Sequence, residues 1–469
     1  MCDSWVAMAD CTSFKNVVMA KNSDRPIFDS QQLILYPRMQ WPVGSVLKLE
    51  YLEIPQVEFT WATLGSSPYW CWGYEEGINE CDVAIGNQAV FTRTLREAVE
   101  ACRKGKEPKL GLLGMDIVRL ALERSDCALG AVELIGGLLE EYGQFGSSVP
   151  GKSHIEGSYD NSFLISDPRE AWILESVGTR WTAKRIVKGY ASLSNELSIR
   201  TRWDLGSIDI KQHAIEKGWW PDDDREKFDF ARAYLDEKVP RQVSHIRAMR
   251  SKQLLAEKCT DRITLRWMMR IARDHYEGSF LKGPYFDAAD PDFHSICMHV
   301  SPAEFTWGNT ASSCIAVLPE CTLDFPVFWW TPGPPCSGCY IPFFVHGSKL
   351  PDIISTAGTS GKKLVSPLSA EVDEFSSGSY WWLFRRLTDK VRGDSIKSLP
   401  GCYTLRQGIV RRKFDAVEAG IEAELPAILK KAREQMDINN GAAAILDEFM
   451  ESCVNKVVIM LVELLKEFE

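Results

Sequence analysis

The chain opens MCDSWVAM, with a cysteine directly behind the initiator methionine. Removal of Met1 would leave a thiol and a free α-amine on one residue, Cys2. A free cysteine titrates near about 8.5 and an α-amine at about 7.7 to 8.0, so an ordered pair shares a proton readily at neutral pH. Such a residue can be nucleophile and general base at once, with no need of a histidine. The alternative is that Met1 stays and Cys2 is only a small buried residue. A second group, MAKNSDRP at residues 19–26, crowds Lys21, Asn22, Asp24 and Arg25 at the end of a predicted strand. In an antiparallel hairpin that end lies near the start of the first strand. Lys21 would then favour the Cys2 thiolate, and Asp24 would hold the ammonium. On its own NSDR reads as a solvated turn, and only its spacing from Cys2 gives it chemical interest.

The elements that would position these residues can be read from periodicity. Residues 2–9 and 15–20 read as two short strands joined by a turn. From Leu110 to Gly143 apolar residues recur every three or four positions, which predicts two amphipathic helices separated near Ser125 and Asp126. NSFLISD and AWILESVG read as a hairpin through PRE, and WTAKRIVKG and YASLSN as a continuing antiparallel region from Trp181 to Asn195. Residues 222–238 and 261–276 read as helical and 295–345 as strands with Pro-rich turns. Residues 376–469 read as mostly helical, with Pro426 expected to break the helix. Blocks of antiparallel strands alternating with blocks of helices indicate an α+β architecture.

Composition narrows the function. A chain of 469 residues with 45% hydrophobic content can bury a large core. Its formal charge of -10 argues against a phosphate-binding groove, because nucleic-acid affinity rests on a basic footprint. The N-terminus has no basic patch followed by an apolar run, and the longest apolar run near the other end, Val457 to Val462, is too short to span a bilayer. A cytoplasmic protein is expected, without nucleic acid or membrane as partner. The 14 cysteines are scattered and read as buried thiols. The one C-x-x-C, Cys336 to Cys339, lies in a Pro/Gly turn without a second C-x-x-C or an H-x3-H partner, so neither a redox nor a zinc role is expected. His294 and His299 flank SICM in a strand-like run whose odd spacing puts them on opposite faces, poor candidates for joint ligands. No metal or cofactor is expected.

MCDSWVAM, AKNSDRP, GINECDVAIGN, YDNSFLISDPREAWILES and YASLSNELSI, in this order, closely resemble the family of cysteine dipeptidases that includes the secernins, within the N-terminal nucleophile hydrolases. ICMHV, TASSCIAVLP, PGPPCSGCYIPFF and SYWWLFRRLTDKV extend the resemblance, which spans about residues 2 to 390. It implies a four-layer αββα sandwich of two antiparallel sheets between helical layers, over residues 2–375, with a helical C-terminal region at 376–469 packed on the same body. It also implies amide hydrolysis through Cys2, with Lys21 and Asp24 orienting and polarising the terminus.

More distant relatives, the bile salt hydrolases and penicillin V acylases, carry Arg where Lys21 stands. GINECDVAIGNQAV resembles the strand pair with an oxyanion-hole asparagine, for which Asn87 is the better choice than Asn79. Where the family has Gly, this chain has Asp82, which tolerates left-handed turn geometry. Asn195 resembles a second active-site asparagine that bonds the nucleophile region or the substrate carbonyl; otherwise it is an Asx turn. The further basic residue of the acylase relatives has no match, Arg262 and Arg266 being guesses.

The expected substrate is a dipeptide or a small N-acyl or aminoacyl amide, and a homo-oligomer is compatible with the chain. The aromatic stretches near Trp70 and Trp329 could line an apolar pocket but are more simply packing. Glu75 and Glu76 could read a substrate amine but otherwise read as a solvated pair. Two other readings stay open: a secernin-like regulatory or binding protein, and an acyltransferase working through the same thioester.

Overall fold

The computed structural model describes residues 1–240, 242–259, 262–282, 288, 294–299, 309–320, 324–393, 402–436 and 441–469. The chain begins with β1 (Cys2–Ala7), β2 (Val17–Arg25) and β3 (Gln31–Tyr36). The short strands β4 (Met39–Gln40) and β7 (Phe59–Thr60) pair with each other, as do β5 (Val46–Lys48) and β6 (Glu53–Pro55). Next come β8 (Thr63–Pro68), β9 (Glu76–Asn79) and β10 (Ala84–Val90), then helices α1 (Arg93–Arg103), α2 (Gly114–Arg124), α3 (Ala128–Tyr142) and α4 (His154–Gly157). Strands β11 (Asp160–Ser166), β12 (Ala171–Val177), β13 (Arg180–Ile186), β14 (Tyr190–Leu193) and β15 (Leu205–Gly206) follow. Helices α5 (Ile210–Glu216), α6 (Phe230–Tyr234), α7 (Gln242–Cys259) and α8 (Leu265–Ala272) precede β16 (Asn309–Leu318), β17 (Val327–Pro332) and β18 (Ile341–Phe343). Helices α9 (Asp352–Ser355), α10 (Tyr380–Arg392), α11 (Cys402–Glu434) and α12 (Gly441–Glu467) come last.

Two antiparallel sheets form the body. The six-stranded sheet has the order β14-β1-β2-β16-β17-β18, and the eight-stranded sheet β15-β13-β12-β11-β10-β9-β8-β3. The sheets pack face to face through β1 against β10 and β11. Helices α2 and α3 cover the outer face of the larger sheet, and α7, α8, α10 and α12 pack on the smaller one. The expected αββα layering is therefore present. Each layer has its own apolar set: Val6, Met19, Leu64, Ile78, Ala84 and Leu164 belong to one core cluster, and Ile85, Ile117, Val132, Phe163 and Leu174 to another under α2 and α3. No helix among the described residues is long and apolar enough to cross a membrane.

The two helices expected between Leu110 and Gly143 are α2 and α3, broken at Ser125 and Asp126 as read. Several other expectations need correction. The second strand does not end at 20: β2 runs to Arg25, so NSDR is buried strand and not a solvated turn. Strand β14 does not continue the sheet of β13; it crosses to pair with β1, with Leu193 opposite Ser4. Residues 222–238 hold a 3-10 turn at Asp222–Lys227 and the short α6, while the long helix is α7, which the periodicity missed. The inward residues of α7 include Ser244, Arg247, Arg250 and Ser251, so the apolar stripe on its buried face is broken. Pro426 sits inside α11 without ending it. Packing of α11 along α12 outweighs a proline penalty of about 3 kcal/mol. Residues 294–299 are not a strand.

Asp82 holds φ 64° in the turn between β9 and β10, as its tolerance of that region predicts. Burial, with Asp167 nearby, pushes its carboxyl up to about 7. A carboxyl raised in the fold penalises the folded state once ionised, so the penalty grows from pH of about 4, the unfolded value, to about 7. Asp82→Asn, neutral and equally tolerant of the turn, is expected to raise the thermal midpoint at pH 8 and to have little effect at pH 4. Equal effects at both pH values would show that the charge is not the cause.

Candidate active site

The β1–β2 register places Cys2 opposite Ser23 and Ser4 opposite Lys21. Beyond β2, Ser312 and Cys314 of β16 continue these two rows. Paired residues share a face, so Cys2, Ser4, Lys21, Ser23 and Ser312 all point between the sheets. The opposite sheet answers with polar groups of its own. Gln88 Nε2 donates to Ser4 Oγ, Gln31 Nε2 donates to Ser23 Oγ at 3.1 Å, and Ser312 Oγ donates to Glu76 Oε1 at 2.6 Å.

Lys21 is fully buried. Its ammonium donates to the Glu75 carbonyl at 2.9 Å, to Glu75 Oε2 at 3.1 Å and to Glu76 Oε2 at 2.9 Å. Glu75 and Glu76 are thus a buried counter-ion pair and not a solvated loop. Arg25 joins them, 3.3 Å from Glu75 and 2.6 Å from Asp29. Burial pushes the Glu75 carboxyl up, but Lys21 and Arg25 together bring it below its ordinary range. For Glu76 burial prevails over Lys21 and the carboxyl is raised. Burial also pushes the Cys2 thiol up, and Lys21 is the strongest influence in the other direction.

Asp24 lies on the other face of β2, where Thr310 Oγ1 donates to it at 2.8 Å. Its backbone brackets Met1: the Met1 ammonium donates to Asp24 O at 3.0 Å and Asp24 N donates to Met1 O at 2.8 Å. Burial pushes the Asp24 carboxyl up to about 7 against the pull of the terminal ammonium and Arg247.

Asn195 follows β14, and the crossing of β14 to the smaller sheet is what brings it to Cys2. Its Oδ1 accepts from Cys2 N at 3.0 Å and from Arg247 at 2.7 Å, and its Nδ2 donates to Ala89 O at 2.8 Å. It holds the Cys2 nitrogen. Asn87 sits differently. Gln88 faces β1, so Asn87 turns to the helical side of β10, where a Cβ on Gly114 at the start of α2 would come within 2.5 Å of its side-chain amide. In the amide orientation that suits its neighbours, Nδ2 donates to the Glu75 carbonyl at 3.0 Å and to Glu75 Oε2 at 3.1 Å. The expectation that Asn87 meets an oxyanion is thereby corrected to contact with Glu75, one hydrogen bond from Lys21. Asn79 braces the β9–β10 turn and the end of α2.

A basic residue that the sequence reading did not single out, Arg247 of α7, reaches the same place. It is fully buried, donates to Asp3 and Asn195, and stands 3.5 Å from Cys2 O and 3.8 Å from Asp24. Arg262 and Arg266 are elsewhere, the first on Asp10 O and the second paired with Glu422. An arginine on the inward face of a helix is the signal that would have found it. His294 also stands near: burial first, then Arg247 and the chain terminus, bring its imidazole down to about 4, so it is neutral at physiological pH. The aromatic stretches are packing at Trp70, Trp329 and Trp330, all buried.

The model of peptidase family C69 matches residues 58–286. That match covers just under half of the chain. The C69 segment carries Glu75, Glu76, Asn87, Asn195 and Arg247, while Cys2, Lys21 and Asp24 precede it. Among solved structures, the chain is similar to a conjugated bile acid hydrolase of Clostridium perfringens at 12% identity, over 71% of this chain and 89% of that one, with TM-score 0.37. It is also similar to an N-acylethanolamine-hydrolyzing acid amidase ortholog of Caenorhabditis elegans (10% identity, 68% and 94% covered, TM-score 0.32) and to a penicillin V acylase of Agrobacterium tumefaciens (10%, 74% and 87%, 0.36). At this distance they transfer no residue role, and the site assignments rest on the geometry above.

Gly86 of β10 gives the Lys21 stem its passage, since a Cβ there would lie 2.7 Å from Lys21 Cδ. Gly86→Ala is expected to displace the ammonium from Glu75 and Glu76 and to slow alkylation of Cys2 by a haloacetamide several-fold. An unchanged labelling rate in a folded variant would separate Lys21 from the thiol's reactivity.

Proposed function

We propose that the chain, once Met1 is removed, is an amide-bond hydrolase whose nucleophile is the Cys2 thiol and whose general base is the Cys2 amine. The observation that carries this reading is the Cys2 N to Asn195 Oδ1 hydrogen bond at 3.0 Å, with Lys21 on the thiol's face of the sheet. An amine or ammonium at that nitrogen keeps the same bond, so trimming would leave the base already aimed. The match to a peptidase family supports a dipeptide or a small N-acyl or aminoacyl amide as substrate.

The amine takes the thiol proton, and the thiolate attacks the amide carbonyl to give a tetrahedral oxyanion. The Cys2 ammonium then protonates the leaving amine, which departs and leaves a thioester. Water, deprotonated by the amine, hydrolyses the thioester and restores the thiol. Lys21 lowers the cost of the thiolate, Asp24 lowers the cost of the ammonium, and Asn195 with Arg247 positions the nitrogen between them. Transfer of the acyl group to an amine instead of water would use the same residues. A regulatory reading is favoured for the untrimmed form alone, in which Met1 occupies the Asp24 carbonyl and the thiol is only 5% exposed.

Intact mass of the purified chain is expected to show loss of Met1 and a single adduct with a thiol-directed amide or β-lactone probe, absent from Cys2→Ala. Retained Met1, or labelling that survives Cys2→Ala, would exclude the hydrolase. The acid limb of kcat/KM reports the Cys2 ammonium. A neighbouring carboxylate raises an ammonium's pKa, so Asp24→Asn is expected to move that limb to lower pH while lowering the maximum. A limb that stays in place would remove Asp24 from this role.

A further inference from the structure

Four side chains outside the nucleophile site meet in a way that hydrogen bonding alone does not explain. His275 follows α8, Cys297 and His299 lie on the segment 294–299, and Cys336 lies in the turn between β17 and β18; all four are buried. His275 Nε2 stands 3.3 Å from His299 Nε2, which is 3.7 Å from Cys297 Sγ and 3.2 Å from Cys336 Sγ. Tyr403 Oη is 3.2 Å from the same nitrogen. The lone position on an imidazole nitrogen donates or accepts a single strong hydrogen bond, so four such neighbours leave it over-subscribed. All four donor atoms lie within 4.8 Å of one another.

We propose that His275, Cys297, His299 and Cys336 form a tetrahedral zinc site. With Zn–N of about 2.0–2.1 Å and Zn–S of about 2.3 Å, a tetrahedron has edges of about 3.4 Å between nitrogens and about 3.6 Å between nitrogen and sulfur. The His–His separation matches the first, and the two His299–Cys separations bracket the second. Two thiolates and two neutral imidazoles cancel the charge of Zn2+, which suits a buried position, and each thiol gives up its proton on binding. His275 Nδ1 faces Glu277 Oε1 at 3.3 Å, the carboxylate that commonly orients a zinc-bound histidine. His275 and Cys336 also line a cavity of about 550 Å3 with Arg270, Arg273 and Gln407, which gives the ion a path inward.

The sequence expectation of no metal rested on His294 and His299 as a pair and on Cys336 with Cys339 as a pair. Each pair contributes one member; the other two ligands are Cys297, between the two histidines, and His275, which follows α8. The role is structural: the ion would fasten residues 294–299, whose Ile296 carbonyl accepts from Asn22 and whose Met298 backbone bonds Thr310, the residue that donates to Asp24.

The full chain, produced with zinc and then dialysed against metal-free buffer, is expected to retain about one zinc per chain by elemental mass spectrometry. Cys297→Ser and Cys336→Ser should lose it, while Cys339→Ser, in the same turn but outside the set, should keep it. If the first two variants fail to fold, wild-type chain stripped and refilled with cobalt(II) should show the visible bands of a tetrahedral site and the charge-transfer band of thiolate ligation. Wild-type chain without zinc and without that cobalt spectrum, zinc retained in both cysteine variants, or a Cys297–Cys336 disulfide found by peptide mass mapping would each overturn the proposal.

Discussion

Lys21 sits between two sheets with no access to water, and most of what surrounds Cys2 follows from that single buried cation. A lone ammonium in such a place costs several kcal/mol, roughly, in lost hydration, and attraction to partners offsets this only when every proton is bonded. Glu75 and Glu76 therefore have to leave the loop and enter the core at the start of β9. Gly86 has to lack a side chain so that the lysine stem can cross. Arg25 then offsets the surplus carboxylate and is itself paired with Asp29. None of this is an efficient way to gain stability, since well-packed apolar residues commonly do as well. What the cluster does supply is a fixed positive charge on the face of β1 that carries the Cys2 thiol.

The second organising device is the crossing of β14 from the larger region of sheet to the edge of the smaller one. Without it Asn195 would be far from β1. With it, a side-chain oxygen is delivered to the nitrogen of Cys2 and is itself oriented by Arg247 from α7. Cys2 thus has its thiol side set by one sheet and its nitrogen side set by a helix and a crossover, two independent sources of order.

The layered fold and the nucleophile strand were legible because they rest on local signals: helical spacing at Leu110–Gly143, a Pro-containing hairpin at 160–177, and a motif order that resembles a known family. Lys21, Asp24 and Asn195 followed from motif position. Arg247 did not, because Ser244, Arg247, Arg250 and Ser251 take up the inward positions of α7 ahead of Leu254 and Leu255 and break its apolar period. Asn87 was identified as a site residue, but its side of β10 depends on strand register, which a one-residue shift inverts. Glu75 and Glu76 were read as exposed because charge pairs usually are, and only the tertiary position of Lys21 reverses that. The four residues of the proposed zinc site come from three segments whose sequence spacings run from 2 to 61, far from any short ligand motif.

The same reasoning explains why KNSDR misled as a turn. A strand buried on one face alternates, and a strand buried on both is usually apolar throughout. Residues 21–25 are buried on both faces and polar on both. Ser23 is satisfied by Gln31 of the opposite sheet, Lys21 by Glu75 and Glu76 at the start of β9, and Arg25 by Asp29, Glu75 and Ser148 O. Asn22 and Asp24 are satisfied behind the strand, by Ala272 O, Ile296 O, Ser313 and Thr310. Such a strand is stable only where both neighbours present matched partners at fixed height, and the rear partners sit on the short segment 294–299 and the start of β16. Rigidity at the back of the sheet is then a condition for order at Cys2, and a metal that fastened that segment would act on the nucleophile through β2 without touching it.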